Sequence, residues 1–122
     1  MKLRLHGNSL RLRLTRPEVE RLRDSGSVSE VVDFGAAALS YQLKSRPDEG
    51  PLQAGLHDGV MTVSVSAHAT RDWAGSNDVG IYGQSGALAV SIEKDFRCLT
   101  RPLDRDERDA YPHPGELREP RP

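Results

Sequence analysis

Cysteine is almost absent from this chain of 122 residues, which has only Cys98. A single cysteine excludes an intramolecular disulfide, as is typical of proteins from a reducing compartment. No apolar run approaches the roughly 20 residues that span a bilayer. The N-terminus carries Lys2 and Arg4 and lacks the apolar core of a signal peptide. We therefore expect a cytoplasmic protein without a membrane partner.

Net charge and aromatic side chains are scarce as well. Lys and Arg number 17 against 18 Asp and Glu, a formal net charge of −1, so only a local patch would attract a polyanion. Apolar residues make up 36% and aromatic residues 5% of the chain. These residues are enough to form one hydrophobic core, but we expect part of the chain to lie outside it. We predict one domain over residues 1–100 and a flexible, proline- and charge-rich tail over 101–122.

Motifs of enzymes and metal sites are missing too. The four histidines are scattered, and no His-x-x-x-His, Cys-x-x-Cys or Gly-x-Ser-x-Gly spacing occurs. The sequence also shows no internal repeat. We therefore predict no catalytic residue, no metal ligand set and no cofactor.

Alternation of apolar and polar residues is the clearest feature that is present. Leucines alternate with basic or polar residues over 2–6 and 9–14. The dipeptide Gly7-Asn8 between these stretches predicts a hairpin. Thr15 and Glu18 form a capping box, which predicts a helix over Thr15–Asp24.

Further strands are predicted at 28–34, 39–43, 60–67, 79–84 and 88–96, with a hairpin turn at Ser85-Gly86 and a loop at 46–53. A short helix over 36–43 is the alternative for the second of these strands. A turn of helix is predicted at Thr70–Ala74. Together these elements predict an α+β fold with a mainly antiparallel sheet of about six strands, one N-terminal helix after a hairpin and a second short helix. The pattern leaves open whether the sheet curls into a half-barrel.

The polar positions of these strands are rich in arginine. If the strands form one sheet, their polar side chains, including Ser40, Gln42, Thr62 and Ser64, share a face. Guanidinium groups bind phosphate and carboxylate bidentately. We therefore predict a non-catalytic binding or accessory domain for an anionic small molecule or protein partner. The candidate ligand-binding residues are Arg4, His6, Arg11, Arg13, Glu93, Asp95 and Arg97.

Two alternatives use the same residues. The face is an ordinary solvated surface if its Arg–Glu pairs are exposed and weak. Glu93 and Asp95, two apart on one strand, point the same way and suit a divalent cation beside a phosphate. That arrangement would make the chain a small metal-dependent, phosphate-handling enzyme. The sequence gives no oligomeric state.

The sequence also carries two resemblances to known families. Residues 5–15 (LHGNSLRLRLT) and 93–99 (EKDFRCL) resemble a family of short uncharacterised bacterial proteins classed as a domain of unknown function. This resemblance implies a bacterial cytosolic domain and no activity. Gly7-Asn8-Ser9 followed by Arg13-Leu14 is similar to the start of AbrB/MazE-type antitoxins and regulators, where the motif lies in a swapped hairpin of a dimer. That resemblance implies a dimeric DNA-binding regulator with Arg11 and Arg13 as DNA contacts.

Overall fold

The computed structural model describes residues 1–96 as two four-stranded sheets and two helices. The elements in chain order are β1 (Lys2–His6), β2 (Ser9–Leu14), α1 (Arg16–Ser25), β3 (Ser27–Asp33), β4 (Ala38–Arg46), β5 (Gln53–His57), β6 (Val60–Ser66), α2 (Ala67–Ala74), β7 (Gly80–Ser85) and β8 (Leu88–Lys94). The predictions for Arg97, for Cys98 and for the tail over 101–122 lie outside the described residues.

The strands form two sheets where the sequence predicted one. Sheet A has the order β1-β2-β8-β7, and sheet B has the order β3-β4-β6-β5. Each sheet consists of two antiparallel hairpins whose inner strands pair in parallel, β2 with β8 and β4 with β6. The α+β class is confirmed. The prediction of a mainly antiparallel sheet of about six strands is wrong in part: four of the six strand pairs are antiparallel, but the strands number eight and form two mixed sheets. Alternation identifies the buried side of a strand but not its neighbour.

One apolar core lies between the sheets and the helices. Leu12 and Ile92 of sheet A and Leu43 and Val63 of sheet B are at most 1% exposed. Both helices contribute to the same core, and Trp73 of α2 is its largest buried side chain. The alternate residues of each strand therefore point away from the core, which defines an outward face for each sheet.

Both helices begin at a polar cap. Glu18 accepts hydrogen bonds from the backbone N–H of Thr15 (2.9 Å) and from its hydroxyl (3.1 Å), which confirms the predicted capping residues of α1. The hydroxyl of Ser66 accepts from the N–H of Ala69 (3.1 Å), so α2 begins earlier than the predicted turn at Thr70. Neither helix of residues 1–96 is long and apolar enough to cross a membrane.

One hairpin was not predicted. The strand β5 pairs with β6 across the turn Asp58-Gly59, where both residues have positive φ (51° and 76°). Asp-Gly is a strong signal for such a turn, because glycine adopts positive φ without steric cost. The helical alternative at 36–43 is wrong, since β4 runs through Ala38–Arg46.

The order hairpin–helix–hairpin occurs twice in the chain, first in β1–β4 with α1 and again in β5–β8 with α2. Leu12 and Val63, both buried, are 51 residues apart, as are the two N-caps Thr15 and Ser66. Each sheet combines one hairpin from each half, so the topology is that of an internal duplication with pseudo-two-fold symmetry. Leu5-His6 and Leu56-His57 are identical at this spacing, but most equivalent positions share only burial or capping roles, so the sequence shows no clear repeat.

Candidate functional site

The outward face of sheet A brings together most of the predicted site. In the strand register, Lys2 lies opposite Arg13, and Arg4 lies opposite Arg11. Arg13 in turn lies beside Glu93 of β8. We call this surface the charged face, and its residues are Lys2, Arg4, His6, Ser9, Arg11, Arg13, Gly80, Tyr82, Ser91 and Glu93.

Like charges meet directly on the charged face. The cross-strand pairs Lys2–Arg13 and Arg4–Arg11 each place two cations opposite one another. Like charges directly opposite one another on neighbouring strands destabilise a sheet. Among residues 1–96, Glu93 and Asp95 are the carboxylates beside these pairs, and Asp95 lies 3.4 Å from the Nζ of Lys2. Within this described part of the chain, Lys2, Arg11 and Arg13 share these two carboxylates, and Arg4 has an interaction of its own.

Glu93 is buried in the middle of the charged face and is only 4% exposed. Its Oε1 lies 3.4 Å from the Nε of Arg11, and its Oε2 accepts a 2.8 Å hydrogen bond from the hydroxyl of Tyr82. A buried carboxylate is costly without partners, and these two side chains supply them. Glu93 therefore holds both Arg11 and Tyr82 in place.

Tyr82 was not among the predicted site residues. It is 57% exposed although its hydroxyl is bound to Glu93. A Cβ atom at Gly80 would lie 2.6 Å from the carbonyl oxygen of Ile92 and 2.9 Å from both the Cζ and the Oη of Tyr82. The end of the tyrosine ring therefore lies directly over Gly80. Alternation along β7 would have placed Tyr82 on this face, but the role of Gly80 leaves no signal in the sequence.

Arg13 is half-buried, and its guanidinium makes no hydrogen bond or ion pair with another of residues 1–96. It lies between Lys2 on β1 and Glu93 on β8. His6 lies farther along β1, opposite Ser9, and is exposed. The structure therefore groups the predicted residues into a centre of Arg11, Arg13 and Glu93 and a rim of Arg4, His6 and Asp95.

The outward face of sheet B is the pseudo-symmetric equivalent of the charged face, and its chemistry differs. By register, Thr62 takes the place of Arg11, Ser64 that of Arg13, Lys44 that of Glu93 and Ser29 that of Tyr82. The prediction that Ser40, Gln42, Thr62 and Ser64 share a face with the arginines is therefore wrong, because those residues belong to the other sheet.

Hydrogen bonds between neutral or singly charged groups organise this second face. Gln42 donates from Nε2 to the hydroxyl of Thr62 at 2.9 Å, and Arg46 donates from Nη1 to the hydroxyl of Ser64 at 3.1 Å. Arg46 also donates to the carbonyls of Gly50 (2.8 Å) and Pro51 (2.7 Å), so it fixes the loop between β4 and β5. The same backbone thus folds without a cluster of cations.

A groove of about 940 Å³ lies beside α1 and adjoins the rim of the charged face at Asp95. Its lining includes cations and carboxylates together with apolar side chains: Leu14, Arg16, Val19, Glu20, Arg23, Lys94, Asp95 and Phe96. Of the predicted site residues within 1–96, only Asp95 belongs to it. The groove contains none of Arg4, Arg11 and Arg13, and its cations are interspersed with Glu20 and Asp95, so we place the candidate site on the charged face.

A separate cluster joins the start of β1 to α1 and sheet B. The amino group of Met1 contacts Glu18 and lies 2.8 Å from Glu30, and the hydroxyl of Tyr41 donates to the carbonyl of Met1 (3.0 Å). Burial alone would raise the pKa of Glu18, but hydrogen bonds from the Met1 amino group and the Thr15 N–H outweigh it and lower that pKa. Burial alone would lower the pKa of the Met1 amino group. Hydrogen bonds to Glu18 and Glu30, together with their negative charges, outweigh burial and raise that pKa.

No three His, Cys, Asp or Glu side chains of residues 1–96 come together as a metal site would require. Both oxygens of Glu93 face protein partners, Arg11 and Tyr82, and Asp95 pairs with Lys2. Within the described part of the chain, the geometry therefore offers no support for the metal-dependent alternative.

Comparison with known proteins gives one match. The model of a family described as a family of unknown function (DUF7009) matches residues 1–115, which confirms the expected resemblance to an uncharacterised family. No curated protein and no solved structure matches the chain. The function must therefore be argued from the charged face.

Proposed function

Because the chain belongs to the DUF7009 family of unknown function, its relatives assign it no activity, and we propose from the geometry that it is a non-catalytic binding domain for an anionic ligand. The ligand would bind on the charged face of sheet A. Arg13 would be the principal contact, with Arg11 and Lys2 beside it. Of the residues predicted from the sequence, this proposal uses Arg11 and Arg13 as ligand contacts, and it adds Lys2.

The difference between the two sheet faces carries the proposal. The same fold builds the equivalent surface of sheet B with Thr62 and Ser64 where sheet A has Arg11 and Arg13. The fold therefore does not need arginine at these positions. Cross-strand pairs of like charge lower the stability of sheet A. A bound anion would offset that cost, which supports a functional reason for the cluster.

The geometry of the arginines suits phosphate or carboxylate. Glu93 engages Arg11 through Nε at 3.4 Å, and the terminal nitrogens of Arg11 make no hydrogen bond within residues 1–96. Arg13 is half-buried and has no partner among the same residues. The guanidinium of Arg11, held by Glu93, binds two oxygens of one anion with little further loss of entropy, and that of Arg13 has no competing side chain among residues 1–96.

Inorganic pyrophosphate is the probe for this proposal. We expect pyrophosphate to raise the melting temperature of the full chain by mass action, beyond sodium chloride at matched ionic strength. Arg13→Ala should weaken binding about 10- to 100-fold, since a hydrogen bond to a charged group contributes roughly 1.5–3 kcal/mol. Calorimetric titration measures this loss.

Ser64→Ala is the matched control, because Ser64 occupies the equivalent position of sheet B. It should leave pyrophosphate affinity unchanged. Equal losses in Arg13→Ala and Ser64→Ala, or a melting temperature that responds to pyrophosphate no more than to chloride, would exclude the charged face as an anion site.

A further inference from the structure

We propose that the anion bound by the charged face is the phosphate of a nucleotide whose base stacks on Tyr82. This inference rests on the proposed function and names its ligand class. It uses two observations that an anion site alone does not need, namely an exposed aromatic ring on the face and a glycine that makes room for it.

Tyr82 has the properties of a stacking platform. Its residue is 57% exposed on a face otherwise made of charged and small polar side chains. The hydroxyl is bound to buried Glu93, which fixes the ring before any ligand arrives. A ring that is already ordered loses little conformational entropy when a base stacks on it. At the equivalent position of sheet B the chain has Ser29, so the fold does not require an aromatic residue there.

The spacing between Tyr82 and Arg13 fits a nucleotide. Strands β7 and β2 flank β8 on opposite sides, and neighbouring strands are roughly 4.8 Å apart, so their backbones are about 10 Å apart. The hydroxyl of Tyr82 reaches Glu93 on β8, in the same row as Arg13. The ring and the guanidinium thus lie on either side of Glu93, within the reach of one nucleotide from its base to its phosphate.

The same chemistry favours an unpaired base. A base inside a duplex is already stacked on both faces, whereas a mononucleotide or a single strand presents a free face to an aromatic side chain. A free nucleotide and single-stranded nucleic acid are therefore two sources of one ligand chemistry. Stacking of one base on an aromatic side chain strengthens binding by roughly tenfold or more.

The test titrates the full chain with inorganic phosphate, ribose 5-phosphate, AMP, a short oligo-dT strand and the same strand paired with oligo-dA. AMP should bind about ten times more tightly than ribose 5-phosphate, because only AMP carries a base. Tyr82→Leu should remove this difference while ribose 5-phosphate still binds. Tyr82→Phe, which keeps the ring and loses the hydroxyl, should retain most of it. Ser29→Ala is the control on sheet B and should change none of these affinities.

Each outcome separates the two proposals. If ribose 5-phosphate and AMP bind equally well, or if Tyr82→Leu retains the preference for AMP, the nucleotide inference is overturned and the anion site stands. If no phosphate compound binds, both proposals fail. Tighter binding of oligo-dT than of AMP supports the inference with a single strand as the source, and the reverse order supports it with a free nucleotide. Duplex binding as tight as single-strand binding overturns it and favours a regulator of the AbrB/MazE type.

Discussion

Glu93 is the residue on which the stability and the chemistry of the charged face both depend. It is almost fully buried on a face of cations, and it holds Arg11 by an ion pair and Tyr82 by a hydrogen bond. Its equivalent in sheet B is Lys44, an exposed side chain. The fold therefore does not require a buried carboxylate at this position. The presence of Glu93 is explained by its neighbours on the charged face.

Glu93→Gln should destabilise the protein, because the amide keeps a partner for Tyr82 but no longer neutralises Arg11. We expect the free energy of unfolding in urea at low salt to fall by about 1–3 kcal/mol, the usual cost of losing a charged hydrogen-bond partner. Pyrophosphate should raise the melting temperature of this variant more than that of the wild type. The control Lys44→Gln should change stability by less than about 0.5 kcal/mol. Equal effects of the two substitutions would show that the ion pair with Arg11 does not stabilise the face.

The residues of the site differ in how far the sequence reveals them. Arg11, Arg13 and Glu93 are found by alternation alone, because a strand with every second residue buried must expose the others. Gly80 could not be found in this way. Its contribution is the absence of a Cβ where the carbonyl of Ile92 and the ring of Tyr82 lie, and that is visible only once β7 and β8 are paired.

Helix α1 is the element whose stability depends most clearly on pH. Glu18 is 13% exposed and accepts from Thr15, and its pKa is lowered from the ordinary value of 4.5 because hydrogen bonds from Met1 and Thr15 outweigh its burial. The folded state therefore binds fewer protons near that value than the unfolded state. The contribution of the Glu18 carboxylate is present above pH 4.5 and is lost as the pH falls through the lowered pKa.

Glu18→Gln tests this dependence. At pH 7 the variant should be less stable by about 1 kcal/mol, since it keeps the capping geometry but loses the charge at the helix N-terminus. The difference from the wild type should shrink as the pH falls below 4.5 in a series of urea titrations. Glu20→Gln on the exposed side of the same helix is the control and should show no such trend. A difference that stays constant with pH would assign the effect to packing.

Helices, strands and turns that have a local sequence signal could be predicted, whereas those without such a signal were missed. The capping box fixed the start of α1, and the Gly7-Asn8 hairpin was found. The strand over Gln53–His57 was missed because Gln53, Ala54 and Gly55 lack the side chains that favour strands. The parallel pairs of β2 with β8 and of β4 with β6 join strands far apart in the chain, and no local pattern specifies them.

The charged face is a product of the whole molecule. Arg11 and Arg13 lie on β2 in the first half of the duplication, whereas Tyr82 and Glu93 lie on β7 and β8 in the second half. Sheet B mixes the halves in the same way through β4 and β6. Each four-stranded sheet, and with it the charged face, therefore contains one hairpin from each half.

A cut between Asp48 and Glu49 should test this interdependence, because both residues are exposed and lie in the loop that joins the halves. We expect residues 1–48 and 49–122, made as separate chains, to be unfolded alone, since each has hairpins but lacks the inner strand that pairs with them. Mixing should restore dispersed amide resonances and an equimolar complex, helped by the bonds from Arg46 to Gly50 and Pro51 across the cut. Pyrophosphate should bind the complex and neither fragment. A folded 1–48 fragment that binds pyrophosphate would show that β8 is not needed for the site.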